Sequence, residues 1–123
     1  MDFKLKDARP IWQQLADQMT ESIVTGEYQP GERFPSVRDL ALQAGVNPNT
    51  MQRALSKLEE TGLLITSRPA GRNVTEDEEI LRAVRRQLAE KRVAEYLEDM
   101  EKLGFSRGKA AEYAGNFRKG QEL

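Results

Sequence analysis

Several residue types are missing from this sequence of 123 residues, and each absence excludes a class of chemistry. With no cysteine, the chain forms neither disulfides nor thiolate sites. With no histidine, it lacks the usual general base and the commonest metal ligand. Aromatic residues are scarce at 7%, whereas charged residues make up 32%, a balance typical of helical, well-solvated proteins. The sequence therefore predicts neither a metal site nor a cofactor, and its carboxylates, without histidine or a phosphate-binding loop, do not indicate an enzyme.

Long apolar runs are also missing. No run approaches the roughly 18–20 residues needed to cross a bilayer. The amino terminus, M-D-F-K-L-K-D, lacks the apolar core of a signal peptide. We therefore expect a soluble, cytoplasmic protein without a membrane partner. Its length suits one domain, or one small domain with an appendage.

The most informative segment is P-G-E-R-F-P-S-V-R-D-L-A, at residues 30–41. Pro35 suits the first turn of a helix over about 35–44, which Gly45 would end. A second helix is predicted over about 48–61, with Asn47 as its N-cap and Pro48 at its first position. Two short helices joined by a tight turn form a helix-turn-helix, which places a helix in the DNA major groove. The alternative is an ordinary helical hairpin in an unrelated all-α domain.

The segments on either side complete a small domain. Upstream, an apolar stripe predicts a first helix that opens at Pro10 and stops at Gly26; its residues are Ile11, Leu15, Met19 and Ile23. Downstream, residues 63–67 and 72–75 are predicted to be two strands of a hairpin, or wing. We expect Leu63 and Ile65 to pack on the helices, and a short third strand near Phe34. Trp12 adjoins the apolar stripe and is expected to pack rather than to stack on a base.

A different pattern begins near residue 76. Acidic residues at 77–79 favour a helix start, and a helix of about 27 residues, roughly 40 Å long, is predicted to end near Leu103. Ser106 is the expected N-cap of a last helix through Lys119. Because the small domain is too short to cover the long apolar face, we expect homodimerisation, with folding back within a monomer as the alternative. The first nine and last four residues are expected to be loose. The predicted dimerisation residues are Ile80, Val84, Leu88, Tyr96, Leu97, Met100, Leu103 and Phe117.

Six blocks of sequence together resemble the winged helix-turn-helix of the GntR family of bacterial transcription regulators. They are P-I-W, G-E-Y-Q-P-G, F-P-S-V-R-D-L-A, V-N-P-N-T, A-L-x-x-L-E-x-x-G-L-L and G-R-N-V, in the family's order and spacing over residues 10–74. The wing departs from the family's G-x-G-T-[FY]-V, because Pro69 stands at the first glycine and Asn73 replaces the aromatic. The short segment after the wing resembles the YtrA subfamily, whose tail dimerises. The predicted fold is therefore mainly α with a small β wing: a winged helix-turn-helix domain (1–75) and a two-helix dimerisation tail (76–123).

The resemblance implies which residues meet DNA. In the family, positions matching the start of the second helix-turn-helix helix touch DNA, Arg38 matches a contacting arginine, and the wing tip enters the minor groove. The residue types agree, since amides and arginines read base edges and glycine lets the backbone approach closely. Alternatives are an N-capping role for Asn47 and a salt bridge from Arg38 to Asp39 or a nearby glutamate. The candidate DNA-binding residues are Ser36, Arg38, Asn47, Asn49, Thr50, Gln52, Arg53, Arg68, Gly71 and Arg72.

The formal net charge is −1, although DNA-binding domains are often basic. The arginines of the helix-turn-helix and wing can still give a neutral domain one positive face. We expect a dimeric repressor that binds a pseudo-palindromic operator, double-stranded DNA, in its own operon. The alternative is an adaptor whose long carboxy-terminal helix binds another protein. Two helices are too few to enclose a ligand pocket, so any effector, whose identity is unknown, would bind at the dimer interface.

Overall fold

A computed structural model describes residues 1–6, 8–67, 71–118 and 120. These residues form five helices and a two-stranded antiparallel sheet, which confirms the predicted fold class. The elements are α1 (Ile11–Val24), α2 (Val37–Ala44), α3 (Pro48–Glu60), β1 (Leu64–Ser67), β2 (Gly71–Val74), α4 (Glu78–Lys102) and α5 (Arg107–Asn116).

The chain divides into two compact units, Met1–Arg85 and Arg86–Leu123. The first unit reaches beyond the expected boundary at residue 75. The reason is packing, because Ile80, Leu81 and Val84 at the start of α4 lie against the core of that unit. Ile80 and Val84, which we expected in a dimer interface, are therefore used within the first unit.

The core of the first unit is formed by apolar faces of α1, α2 and α3. The predicted stripe of α1 is confirmed at Leu15, Met19 and Ile23, which are all buried. Ile11, the first residue of α1, does not follow it and is 45% exposed. From α3, the inward residues recur at helical spacing and are essentially inaccessible; they are Met51, Ala54, Leu55 and Leu58.

The helix-turn-helix has well-defined caps. The hydroxyl of Ser36 accepts from the backbone N–H of Asp39, so α2 begins at Val37. Pro35 therefore lies before the cap rather than in the first turn as predicted. The Ser36 hydroxyl satisfies the backbone N–H of Asp39, so the helix begins after Ser36. Gly45 ends α2 in the left-handed conformation, at φ +68°, where a side chain would be strained. The turn to α3 is thus as short as predicted.

The wing pairs β1 with β2 in the register Leu64↔Val74 and Thr66↔Arg72. Leu63 and Leu64 are buried, whereas Ile65 is 50% exposed, so the prediction that Ile65 packs on the helices is wrong. Leu63 still belongs to the turn after α3, and alternation along the strand starts at Leu64. Beside Phe34, the expected third strand is reduced to one isolated bridge, Arg33↔Asn73.

The amino-terminal segment is docked, not loose. The side-chain amide of Gln14 forms hydrogen bonds with both the backbone N–H and the carbonyl of Lys6. The amide of Gln18 does the same with Lys4. These glutamines are one turn apart on α1, and Gln14 is only 4% exposed. Met1 and Phe3 pack against the core. The sequence prediction failed because a side-chain amide can pair with extended backbone as a neighbouring strand does, and composition does not reveal such pairs.

The second unit has little interior of its own. Among its described residues only Ala110 is fully buried. Tyr96 donates from its hydroxyl to the Ala110 carbonyl at 2.8 Å, and the rings of Phe105 and Tyr113 meet edge to face. Ser106 caps α5 as predicted, but the helix ends at Asn116, and Lys119 lies outside the described residues. None of the helices in the described part of the chain has the length and apolar content that crossing a membrane requires.

The glutamine contacts predict a measurable contribution to stability. Gln14→Leu removes the amide that satisfies Lys6 and also bonds the Arg9 carbonyl. We expect the free energy of unfolding in urea to fall by about 1–3 kcal/mol. Gln13→Leu is the matched control, because the Gln13 side chain makes no hydrogen bond to the described residues. Equal unfolding midpoints for the two variants would contradict a structural role for the docked segment.

Candidate nucleic-acid interface

Opposite its buried face, α3 presents a polar face to solvent. Asn49, Gln52 and Arg53 are exposed, and Thr50 is half-buried. They follow Asn47 within the first two turns, so a helix end rich in donors and acceptors points away from the core. Such a face suits base edges and phosphates in a major groove. The structure thus brings together the candidate residues of α3.

Asn47 has the structural role that was weighed as its alternative. Its side-chain oxygen accepts from the backbone N–H of Asn49 at 2.7 Å, so it is the N-cap of α3. Pro48 follows at the first helical position, as predicted. The cap engages the oxygen alone, and the amide nitrogen keeps two donors at the exposed helix end.

Arg53 is supported by the chain's only tryptophan. The guanidinium carbon lies 4.3 Å from the ring centroid of Trp12, a cation–π contact between α3 and α1. Trp12 is half-buried, in agreement with the packing role predicted for it. An arginine stacked on a ring loses fewer rotamers when it binds a base or phosphate. Sequence reasoning selected Arg53 but missed this support, because residues 12 and 53 are distant in sequence.

The candidates on α2 lie near its amino terminus. Arg38 is exposed, and it forms no ion pair with any described residue, so the alternative of a salt bridge to Asp39 is not observed. Ser36 is also exposed, but its hydroxyl oxygen is already engaged as the N-cap. Arg38 is therefore the basic group of α2 that remains available to a ligand.

The wing differs most from expectation. Arg68 lies outside the described residues, as do Pro69 and Ala70 at the predicted turn. Gly71 opens β2 at φ +86° and is exposed. Arg72, expected to be an exposed cation, is instead only 18% exposed, and its Nε lies 3.1 Å from Glu59 Oε1 on α3. The N–H is not aimed at that oxygen, so the contact is a charge pair rather than a well-directed hydrogen bond.

Glu59 also holds the other strand of the wing. The hydroxyl of Thr66 on β1 donates to its second carboxylate oxygen. The Thr66 hydrogen bond, together with the neighbouring Arg72 guanidinium, holds the pKa of Glu59 below its ordinary value, although partial burial opposes this. The carboxylate is thus ionised over the whole neutral range, and the end of α3 is tied to both strands.

Two further residues at the wing were missed from the sequence. Arg33 is exposed at the isolated bridge to Asn73, and a Cβ added at Gly71 would lie 3.8 Å from its Nη2. Asn73 stands where the family has an aromatic, and its amide donates to the Gly31 carbonyl at 3.0 Å. The only signal for Arg33 was its place before Phe34, where a third strand was expected.

Of the expected dimerisation residues of the second unit, Leu97 lines an open groove, whereas Phe117 lines a smaller depression with Tyr113. The groove has a volume of about 990 Å³, and its apolar lining includes Val93, Leu97 and Phe105. Leu88, Tyr96 and Met100 are half-buried. Leu103 and Phe117 are 71% and 59% exposed. Two helices thus form a larger concave surface than expected, although it is an open groove rather than an enclosed pocket.

Comparison with known proteins agrees with this geometry. Residues 12–74 match the family described as bacterial regulatory proteins, gntR family. The chain belongs to the GntR family of transcription regulators. It is 34% identical to the HTH-type regulator YhcF of Bacillus subtilis over 98% of this chain and 99% of that protein. A GntR family regulator from Listeria monocytogenes superimposes with a TM-score of 0.81 at 33% identity, covering 93% of this chain and all of that one.

A second relative extends the subfamily resemblance. The HTH-type transcriptional repressor YtrA of Bacillus subtilis is 38% identical over 58% of this chain and 55% of its own length. This GntR chain therefore has the family's DNA-binding domain, with an unusual wing. Where the family motif has threonine and an aromatic, this member has Arg72 and Asn73, and both side chains make internal contacts.

The stacking of Arg53 on Trp12 predicts a specific spectroscopic change. In Arg53→Met, the lost cation–π contact should lower the free energy of unfolding by about 0.5–1 kcal/mol. Because Trp12 is the sole tryptophan, its fluorescence spectrum in the folded protein should change. The control is Lys57→Met, which removes the same charge one turn further along α3. If both variants left the emission of the folded state unchanged, the stacking would be contradicted.

Proposed function

We propose that this chain is a dimeric repressor that binds a pseudo-palindromic operator of its own operon. The observation that carries the proposal is the exposed polar face of α3, flanked by Arg38 on α2, which has no ion-pair partner among the described residues. These side chains project from rigid, capped helices, so they meet a groove with little loss of conformational freedom. A repressor of this kind acts in the cytoplasm, where the operator is.

Repression is supported by the relative YtrA, which is named a repressor. A regulator that blocks promoter access needs only affinity and specificity for its site, which the polar face supplies. The adaptor alternative would leave the exposed polar side chains of α3 without a ligand. An enzyme is not supported either, since Asp77, in the acidic cluster 77–79, serves as a helix cap.

Dimerisation is supported by the apolar residues of the second unit. No residue of α4 is fully buried, although the helix has 25 residues. A helix this long that buries so little is marginal in water unless another surface covers it. The same groove in a second copy offers a self-complementary partner, because Arg86 and Arg107 lie along it together with Glu98 and Glu101. Two copies of the DNA-binding domain would then face two half-sites.

A substitution at Arg38 tests whether this side chain recognises the DNA sequence. Arg38→Ala should weaken binding to the intergenic DNA upstream of the gene by about 1–3 kcal/mol, with relaxed preference at one position. Fluorescence anisotropy titrations of that DNA and of a scrambled duplex measure both effects. Arg82→Ala is the control, since it removes the same charge from an exposed position on α4. Equal losses in the two variants, or equal wild-type affinity for scrambled DNA, would contradict specific recognition through Arg38.

A substitution at Val93 tests whether the groove forms the dimer interface. Val93 lines the groove and is 55% exposed, so Val93→Glu places a charge in the proposed interface without disturbing a packed core. Sedimentation equilibrium should give about twice the chain mass of 14.0 kDa for the wild type and the monomer mass for the variant. Gln87→Glu adds the same charge on α4 outside the groove lining and should stay dimeric. A wild-type monomer, or a dimeric Val93→Glu, would overturn this interface.

A further inference from the structure

One carboxylate connects the recognition helix to both strands of the wing. Glu59 is in the last turn of α3, Thr66 is on β1 and Arg72 is on β2. Thr66 and Arg72 are register partners, so the two side chains reach Glu59 from directly opposite positions of the hairpin. We call these three residues the wing clamp.

We propose that Glu59 positions the wing on α3 and withholds the charge of Arg72 from DNA. This role rests on the DNA-binding function proposed above. This role differs from the DNA contact expected for Arg72, because the guanidinium pairs with Glu59 and holds the wing instead of binding a phosphate.

Burial makes the clamp stronger than an ordinary surface pair. The side chains of Arg72 and Glu59 are 18% and 28% exposed. For comparison, Lys57 and Glu60 on the same helix are 52% and 73% exposed and lie 3.7 Å apart. A pair shielded from water is less screened, and breaking it leaves a partly buried charge without a partner.

The geometry also explains why the charge, and not only the shape, of Glu59 is needed. The Arg72 Nε lies 3.1 Å from the Glu59 carboxylate but makes no well-directed hydrogen bond to it, so attraction between the two charges contributes to holding the guanidinium there. A glutamine in place of Glu59 keeps the size of the side chain and an acceptor for Thr66, but it loses that attraction. Arg72 would then be free to neutralise a phosphate.

Two readouts on the full-length protein test the clamp, and one of them needs no DNA. The first is amide hydrogen exchange of Arg72, Asn73 and Val74, measured by NMR. In Glu59→Gln it should be about tenfold faster, which corresponds to opening that is easier by about 1.4 kcal/mol. The second is the salt dependence of binding to a mixed-sequence DNA duplex. Its log–log slope should steepen by about 0.9, the value for one added phosphate contact.

Glu60→Gln is the matched control, because it makes the same change of charge at the next position of α3. It should change neither wing exchange nor the slope by these amounts. In the double variant Glu59→Gln, Arg72→Gln, exchange should stay fast while the slope returns to that of wild type. Thr66→Val, which removes one hydroxyl from an exposed position, should loosen the wing more mildly and serves if Glu59→Gln does not fold.

The outcomes separate the clamp from the proposed function. If Glu59→Gln matches Glu60→Gln in exchange, or if its slope does not steepen while the wild type binds the duplex, the proposal is overturned. If the wild type binds no DNA, the proposed function fails, and hydrogen exchange alone still decides whether Glu59 holds the wing.

Discussion

The packing of α3 on α1 and α2 is the interaction on which the rest of the domain depends. Met51, Ala54, Leu55 and Leu58 are all essentially inaccessible to solvent. Because they recur every three or four residues, the intervening positions must face outward. The face that meets a ligand is thus fixed by the face that forms the core. The same packing brings Trp12 beneath Arg53, and the chain that leaves α3 starts the wing.

Charge placement, not net charge, makes a neutral protein suitable for DNA. The formal net charge is −1. The structure distributes its arginines among different roles: Arg38 is unpaired among the described residues, Arg53 stacks on a ring, and Arg72 is neutralised by Glu59. Counting basic residues in the sequence treats all three alike. A field that attracts phosphate depends on which of them keep an unpaired charge at the surface.

Features set by local rules could be predicted from the sequence. The caps Asn47 and Ser106 and the stop at Gly45 depend on neighbours a few residues away, and the structure confirms them. The errors involve distant residues. Ile65 was predicted to face the helices because the strand was taken to start at Leu63. The strand starts one residue later, at Leu64, and a shift of one residue moves every side chain to the opposite face of the sheet. Gln14 and Gln18 dock the amino-terminal segment through its backbone, and Arg72 pairs with Glu59; no periodicity of the sequence relates the residues in these contacts.

The wing of this chain departs from the family motif, but its two strands are still attached to the end of α3. Glu59 belongs to the block A-L-x-x-L-E-x-x-G-L-L, and in this structure it contacts a wing that lacks the family's threonine and aromatic. Arg72 occupies the threonine position and supplies a charge partner, while Asn73 anchors the hairpin to Gly31. Attachment of the wing therefore combines the burial of Leu64 and Val74 with one partly shielded ion pair and with hydrogen bonds. Since even a partly shielded ion pair weakens as salt rises, salt should affect the position of this wing as well as its attraction to DNA.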